Sequence, residues 1–234
     1  MKSRLVIIMC IALAAGPVFA GEKVELKTQK DKVSYAIGLD VGNGLKKNEV
    51  DVDPDIVAKA IKDVMSGNKP LMTEEEVKTA ITSLQKDLQA KQQERTKALG
   101  DKNKKEGEAF LAQNKTKSGV KTLPSGLQYK VITEGKGKSP KESDTVTVQY
   151  SGTLIDGTEF DSSYKRGQPA TFPVGGVIKG WTEALQLMKE GSKWQLVIPS
   201  DLAYGASGTQ GGPIGPNAVL IFDVELVSIK AQEK

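Results

Sequence analysis

The feature that most constrains this chain is a change of composition near residue 120. Nine of its 12 aromatic residues lie beyond that point, with 15 of its 24 Gly and seven of its 10 Pro. A segment poor in all three suits helices, whereas one rich in them suits short strands joined by turns. Two bodies of different architecture are expected, and 234 residues are enough for one or two domains.

Three helices are predicted before residue 118. The first runs near 31–46, with Asp31 as its cap and Val33, Ile37 and Val41 on one face. Gly38 and Gly42 sit on neighbouring turns, either for the close approach of another helix or as a frayed end. The second is framed by Asp53 as N-cap, Pro54 at N1 and Gly67 as stop, with Ile56, Val57, Ala60, Ile61 and Val64 on its apolar face. The third opens with Thr73 and Glu76, a capping-box pair. Its stripe of Val77, Ile81, Leu84 and Leu88 then fades into Lys, Gln, Glu and Arg until Phe110 and Leu111. Continued from 73 to about 115, it would be roughly 60 Å long at ~1.5 Å per residue, with a first half that packs and a solvated second half joining two bodies. The alternative is a helix that ends near Gly100 and gives way to a charged linker, since Gly100 and Gly107 each cost a helix about 1 kcal/mol against Ala. Three narrow apolar faces make a poor core alone, so a homodimer through residues 21–90 is expected.

Beyond residue 118 the apolar residues alternate. Leu127, Tyr129 and Val131 share a strand face, as do Val146, Val148 and Tyr150; Trp194, Leu196 and Ile198; and Phe222, Val224 and Leu226. Asp156-Gly157 is a favoured tight turn, and one helix from Trp181 to Lys189, stopped by Gly191, interrupts the strands. One helix against several antiparallel strands defines an α+β domain of about 105 residues.

Residues 1–20 read as a signal peptide. Lys2 and Arg4 are its basic end, Leu5 to Ala15 its apolar run, and Val18-Phe19-Ala20 its cleavage site; the alternative is an N-terminal membrane anchor. Cleavage would remove Cys10, the only Cys. The expected organisation is 1–20 signal peptide, 21–72 helical dimerisation region, 73–117 long linking helix whose first half belongs to the dimer domain, and 118–234 α+β domain. The net charge of +4 lies wholly before residue 120 and falls to about +2 without Lys2 and Arg4, so no nucleic-acid partner is expected.

The chain contains no His, which excludes imidazole bases, Ser-His-Asp and Cys-His triads and His-containing metal sites. A single Cys excludes thiolate zinc clusters and internal disulfides. Neither a phosphate-cradling Gly-rich loop nor an Asp-rich calcium loop is present, so no metal and no cofactor are expected. Asn114-Lys115-Thr116 fits a glycosylation acceptor. What remains is an aromatic-rich region with few charges, containing Tyr150, Phe160, Phe172, Trp181, Tyr204 and Phe222, and a long Gly-rich loop from Gly205 to Asn217.

Within that region, Tyr150 through Phe160 and Asp161 to Ser163 resembles the central signature of FK506-binding-protein (FKBP) type peptidyl-prolyl isomerases. Gly176-Val177-Ile178-Lys-Gly180-Trp181, Ile198-Pro-Ser-Asp201-Leu-Ala-Tyr204-Gly205 and Leu220-Ile-Phe222-Asp-Val-Glu-Leu226 are similar to three further signatures in the same order. The N-terminal layout resembles the exported Mip and FkpA subgroup, which has a helical dimerisation domain and a long linking helix. The resemblance implies an antiparallel sheet wrapped on one short helix, and an enzyme that speeds rotation about X–Pro bonds. By the family pattern, Trp181 is the pocket floor. Tyr150, Phe160, Phe172, Val177, Ile178 and Phe222 line the walls, and Ile214 comes from a flap loop. Tyr204 and the Ile178 N–H donate to substrate carbonyls, while Asp161 sits at the pocket edge, facing the amide or holding Tyr150 and Arg166 in place. Proline-containing unfolded or exported proteins are the implied substrates, the periplasm or outer membrane the implied location, and FK506-like macrolides the implied inhibitors. Ala170 stands where the family often has an aromatic, which opens one wall, and Asn217 stands where some members carry His. Beside the isomerase, two other readings stand: a dimeric holdase chaperone, and a surface interaction protein that uses the domain as a scaffold.

Overall fold

The computed structural model describes residues 25–231, so the signal-peptide reading of residues 1–20 lies outside the described residues. The chain forms two compact units, one ending at Glu74 and the other beginning at Glu75.

The first unit holds two helices, α1 (Gln29–Lys47) and α2 (Pro54–Met65). Helix α1 starts two residues before the predicted boundary, because Thr28 and not Asp31 is the N-cap. The Thr28 hydroxyl accepts from Asp31 N, and the Asp31 carboxylate accepts from the N–H groups of Thr28 at 2.8 Å and Lys27 at 3.1 Å. These bonds satisfy amides that a helix start leaves unpaired, and hold the Asp31 carboxyl below its usual range. In α2 the Asp53 carboxylate accepts from Asp55 and Ile56, Pro54 fills a position that needs no donor, and Gly67 follows at φ +69°. Neither helix contains a buried residue, and Ile37, Ile56 and Val64 are all more than 60% exposed.

The second unit opens with α3 (Glu74–Asn114), which runs unbroken past Gly100 and Gly107. Beyond it lies a seven-stranded antiparallel sheet: β1 (Val120–Thr122), β2 (Gln128–Thr133), β3 (Thr145–Leu154), β4 (Glu159–Ser162), β5 (Ala170–Pro173), β6 (Lys193–Ile198) and β7 (Leu220–Lys230). The strand order is β1-β2-β6-β7-β3-β4, with β5 also paired to β3. Helix α4 (Lys179–Leu187) lies between β5 and β6 in sequence, two residues earlier than predicted, with Met188 as its C-cap. Its buried face of Gly180, Trp181, Ala184 and Leu185, together with Met188, packs into one core with the inner face of the sheet. A Cβ on Gly180 would lie 2.5 Å from Ile198 Cγ2, so only glycine lets α4 approach β6 this closely.

The alternating residues read as strand faces form that core. Val146, Val148, Tyr150, Leu196, Ile198, Phe222, Val224 and Leu226 are buried. Beyond Leu226 the alternation breaks because β7 bulges: Val148 pairs with Leu226 and Thr147 with Ser228. Val227, the extra residue, is exposed, and the changed phase turns Ile229 back against the core.

The second half of α3 departs from the expected solvated stalk. Gly100, Gly107 and Asn114 are buried, and their seven-residue spacing puts them on one line down the helix. A Cβ on Gly107 would lie 2.7 Å from Val219 Cγ2. Asn114 donates to Gln128 Oε1 at 2.9 Å, and Gln128 Nε2 donates to the Leu111 carbonyl at 2.9 Å. The buried side chain of Asn114 is thus a structural tie rather than the glycosylation acceptor that its sequence motif suggests. Among the described residues, no helix is long and apolar enough to cross a membrane.

Gly107→Ala should lower the thermal unfolding midpoint, although alanine is the better helix former by about 1 kcal/mol. A double variant that adds Val219→Ala should be less destabilised than the two single losses added together. Simple additivity in a thermal double-mutant cycle would show that α3 does not press on Val219.

Candidate functional site

The chemistry-bearing side chains are set by three local patterns. Along β3, period-two alternation points Val146, Val148 and Tyr150 inward. Two positions on, Gly152 leaves room for two aromatic rings: a Cβ there would lie 2.6 Å from Phe222 Cε1 and 2.7 Å from Phe160 Cζ. Helix α4 starts at Lys179 after Ile178, whose carbonyl accepts from Trp181 N at 2.9 Å and Thr182 N at 3.1 Å. Thr182 Oγ1 donates to the Val174 carbonyl at 2.8 Å, tying α4 to the 3-10 turn Val174–Gly176. Trp181 is thereby presented beneath Tyr150 and Phe222.

The rings meet edge to face. Trp181 is 5.2 Å from Tyr150 at 89° and 5.2 Å from Phe222 at 81°. It is 6.0 Å from Phe172 at 86°, and Phe160 stands 5.4 Å from Phe222 at 86°. Edge-to-face packing of this kind favours fixed ring positions. Above Trp181 these rings line an open cavity of about 730 Å³. Val177, Ile178, Tyr204 and Ile214 add aliphatic and phenolic lining, and among the described residues Asp161 is the only charged one that lines it.

Asp161 is held by two neighbours. Tyr150 Oη donates to Asp161 Oδ2 at 2.5 Å, Arg166 Nη2 donates to Tyr150 Oη at 2.7 Å, and Arg166 Nη1 donates to Asp161 Oδ1. Partial burial pushes the Asp161 carboxyl up, but the bonds from Tyr150 and Arg166 and the guanidinium charge outweigh it, so it stays below the usual carboxylate range. For Tyr150, burial and the adjacent carboxylate push the phenol above its ordinary value despite Arg166. Trp181 Nε1 is buried with no hydrogen-bond partner among the described residues.

All the residues predicted from sequence line this cavity except Arg166, which braces Asp161 and Tyr150 from beside it. Phe172 lines the cavity from β5, and Ala170, two residues before it on the same strand, does not. Asn217 does not line the cavity. It adopts a left-handed backbone (φ +56°), and its side chain donates to the Gly100 carbonyl at 3.2 Å. Sequence reasoning missed Gly176, Ala203, Thr209, Gly212 and Pro213, which also line the cavity. Its one signal for three of them was the long glycine-rich loop. Among the described residues, no cluster of acidic, His or Cys side chains could hold a metal ion.

Fold and cavity define an α+β binding domain of the FKBP kind, in which one helix is cradled by an antiparallel sheet. Comparison with known proteins agrees. Residues 136–227 match the family model described as FKBP-type peptidyl-prolyl cis-trans isomerase, and residues 30–131 match the domain amino terminal to it. The chain is 51% identical over 231 residues to the outer membrane protein MIP of Legionella longbeachae, covering 98% of this chain and 99% of that one. It is 45% identical to the peptidyl-prolyl cis-trans isomerase Mip of Coxiella burnetii, covering 98% of this chain and 99% of that one. The crystal structure of FkpA from Escherichia coli superimposes with a TM-score of 0.71 at 38% identity, covering 88% of this chain and 99% of that one. The chain belongs to the FKBP-type peptidyl-prolyl cis-trans isomerase family, and peptidyl-prolyl isomerisation is its activity.

Two outcomes are expected from this geometry. Gly152→Ala should force Phe160 and Phe222 into the cavity and lower peptide isomerisation at least tenfold, about 1.4 kcal/mol of transition-state stabilisation; an unchanged rate would show that the rings yield freely. Activity should also be level between about pH 5 and 9, with Asp161 ionised and Tyr150 protonated throughout. Asp161, lowered on folding, stabilises the fold above about pH 4, and this is lost as pH falls through its native value. Tyr150, raised on folding, stabilises the fold below about pH 10, and this is lost as pH rises through its native value. A bell-shaped rate profile centred near neutrality would contradict these assignments.

Proposed function

We propose that the cavity accelerates X–Pro rotation by binding the twisted amide in apolar surroundings. The barrier of about 18–20 kcal/mol comes from amide resonance, which requires planarity and separates charge. Apolar walls disfavour the planar, charge-separated form relative to the twisted one, so binding strengthens toward the transition state. No nucleophile is needed. In this reading Trp181 is the floor under the proline ring, and Tyr150, Phe160, Phe172, Val177, Ile178 and Phe222 are walls. Ile214 closes the loop side. Tyr204, on the rim and 42% exposed, donates its hydroxyl to a substrate carbonyl. The Ile178 N–H, which makes no backbone hydrogen bond among the described residues, donates to another. Asp161 faces the amide and keeps Tyr150 and Arg166 in place. The observation that carries the reading is the set of edge-to-face rings around a cavity whose single lining charge is already paired.

The test is isomerisation of a short X–Pro peptide by the full chain without its first 20 residues. Trp181→Ala should reduce kcat/KM at least tenfold, about 1.4 kcal/mol, and Tyr204→Phe about fivefold, the size of one hydrogen bond. Wild-type rates in both variants would place the chemistry elsewhere.

The same reading extends to the cellular role. A signal peptide at 1–20 would direct export to the periplasm, where the enzyme assists the folding of proline-containing exported proteins; its Legionella relative is named an outer membrane protein. Residues 21–72 and the first half of 73–117 would form a homodimer domain, with the isomerase domain at 118–234. The exposed apolar residues of α1 and α2 support this, because a second copy would cover them. Mature protein should sediment as a dimer at micromolar concentration. Removal of residues 21–90 should give a folded monomer with its peptide activity intact. The same exposed faces suit a holdase that grips unfolded chains. Trp181→Ala should spare that activity if it lies on the arms and abolish it if it shares the pocket.

A further inference from the structure

We propose that Asn103 of α3, together with Asn217, is a positioning residue for the isomerase pocket: it fixes the loop that carries Ile214. Asn103 lies outside the segment 136–227 matched by the isomerase family model, yet within the same compact unit as the cavity.

The loop after Tyr204 contributes Thr209, Gly212, Pro213 and Ile214 to the cavity wall. Its inner part is a narrow hairpin. Thr209 N donates to the Ile214 carbonyl at 2.8 Å, and Ile214 N donates to Thr209 Oγ1 at 3.3 Å. Asn217 N donates to the Gly205 carbonyl at 2.9 Å and closes the neck. These bonds give the loop a shape, but they do not tie it to the body of the unit.

That tie comes from one turn of α3. Asn103 Nδ2 donates to the Pro216 carbonyl at 2.8 Å, and Asn217 Nδ2 donates to the Gly100 carbonyl at 3.2 Å. Two glycines make the approach close enough for both bonds. A Cβ on Gly100 would lie 3.3 Å from Asn217 Nδ2 and 3.4 Å from Pro216 Cβ. A Cβ on Gly215 would lie 3.0 Å from Asn103 Nδ2 and 3.2 Å from Leu99 Cδ2. Both bonds are part-buried, so water competes poorly for them. Pro216 has a fixed φ, and Asn217 holds a left-handed backbone that few residues other than glycine tolerate. Segment 215–217 therefore has little freedom while the two amides hold it, and Ile214, 5% exposed, is the next residue along. Farther along α3, the Asn114 and Gln128 bonds anchor the helix to β2, so the ledge itself is fixed.

The proposal rests on the reading of Ile214 as a pocket wall, and the test separates the two. The measurement is kcat/KM for an X–Pro peptide, with the unfolding midpoint recorded for every variant. Asn103→Ala should lower kcat/KM at least fivefold, mainly through KM. Asn217→Gly keeps the left-handed backbone, removes the second of the two bonds between loop and helix, and should also lower kcat/KM at least fivefold; it decides the matter if Asn103→Ala fails to fold. Ile214→Ala should also lose activity, and Asn103→Ala added to it should cost less than twofold more, because the tether would have nothing left to position. Lys105→Ala, exposed on the same helix, should match wild type. Folded tether variants within twofold of wild type would overturn the proposal, as would losses that multiply in the double variant. Wild-type activity in Ile214→Ala would overturn the pocket reading itself, and this proposal with it.

Discussion

The antiparallel pairing of β3 with β7 is the constraint on which the rest of this structure depends. The two strands pair from Thr145 with Lys230 to Leu154 with Leu220, and β3 also carries β4 and β5. Because side chains alternate along a strand, one register decides every inward position at once. Val146 and Val148 go to the core, Tyr150 to the cavity, and Gly152 opposite Phe222, where a side chain would collide. A slip of one residue would expose all of them. The bulge at Val227 absorbs the mismatch at the far end, away from the site.

On this frame the cavity combines two kinds of order. The rings of Tyr150, Phe172, Trp181 and Phe222 touch edge to face, so their positions are set by packing. Asp161 would be costly beside them as an isolated charge, and Arg166 and Tyr150 remove that cost by pairing with both carboxylate oxygens. The result is an apolar cavity whose one lining charge is already committed. This arrangement supports the proposed reading, in which the amide is solvated differently rather than protonated, in a chain that contains no His.

Helix α3 adds a principle that hydrophobic patterning does not describe. Its second half carries few apolar residues, yet it docks through glycines that let backbone approach side chain and through asparagines that exchange bonds across the gap. The helix forgoes some propensity at Gly100 and Gly107 and gains contact with Pro216, Asn217 and Val219 in return. The contact falls on the loop beside the cavity, so a segment that precedes the isomerase family match in sequence adjoins the pocket in space.

Much of this was legible in the sequence. The change of composition near residue 120 separated helices from strands, the period-two runs marked the inward faces, and Asp53-Pro54 and Gly67 bounded α2. The ordered motifs from Tyr150 to Leu226 pointed to residues that gather at one cavity. These features are local: propensity, alternation and capping act within a few residues and leave their mark on the chain itself. Thr28, not Asp31, caps α1, and that too is local, a capping box spanning three residues that the chain already carried. Only the tertiary structure decided that Asn114 is tied down and that Asn217 faces α3 instead of the cavity. Glycine was ambiguous for the same reason. Gly100 and Gly107 read as helix breakers along the chain, but they are contact points in space, because what a missing Cβ permits depends on an atom more than 100 residues away.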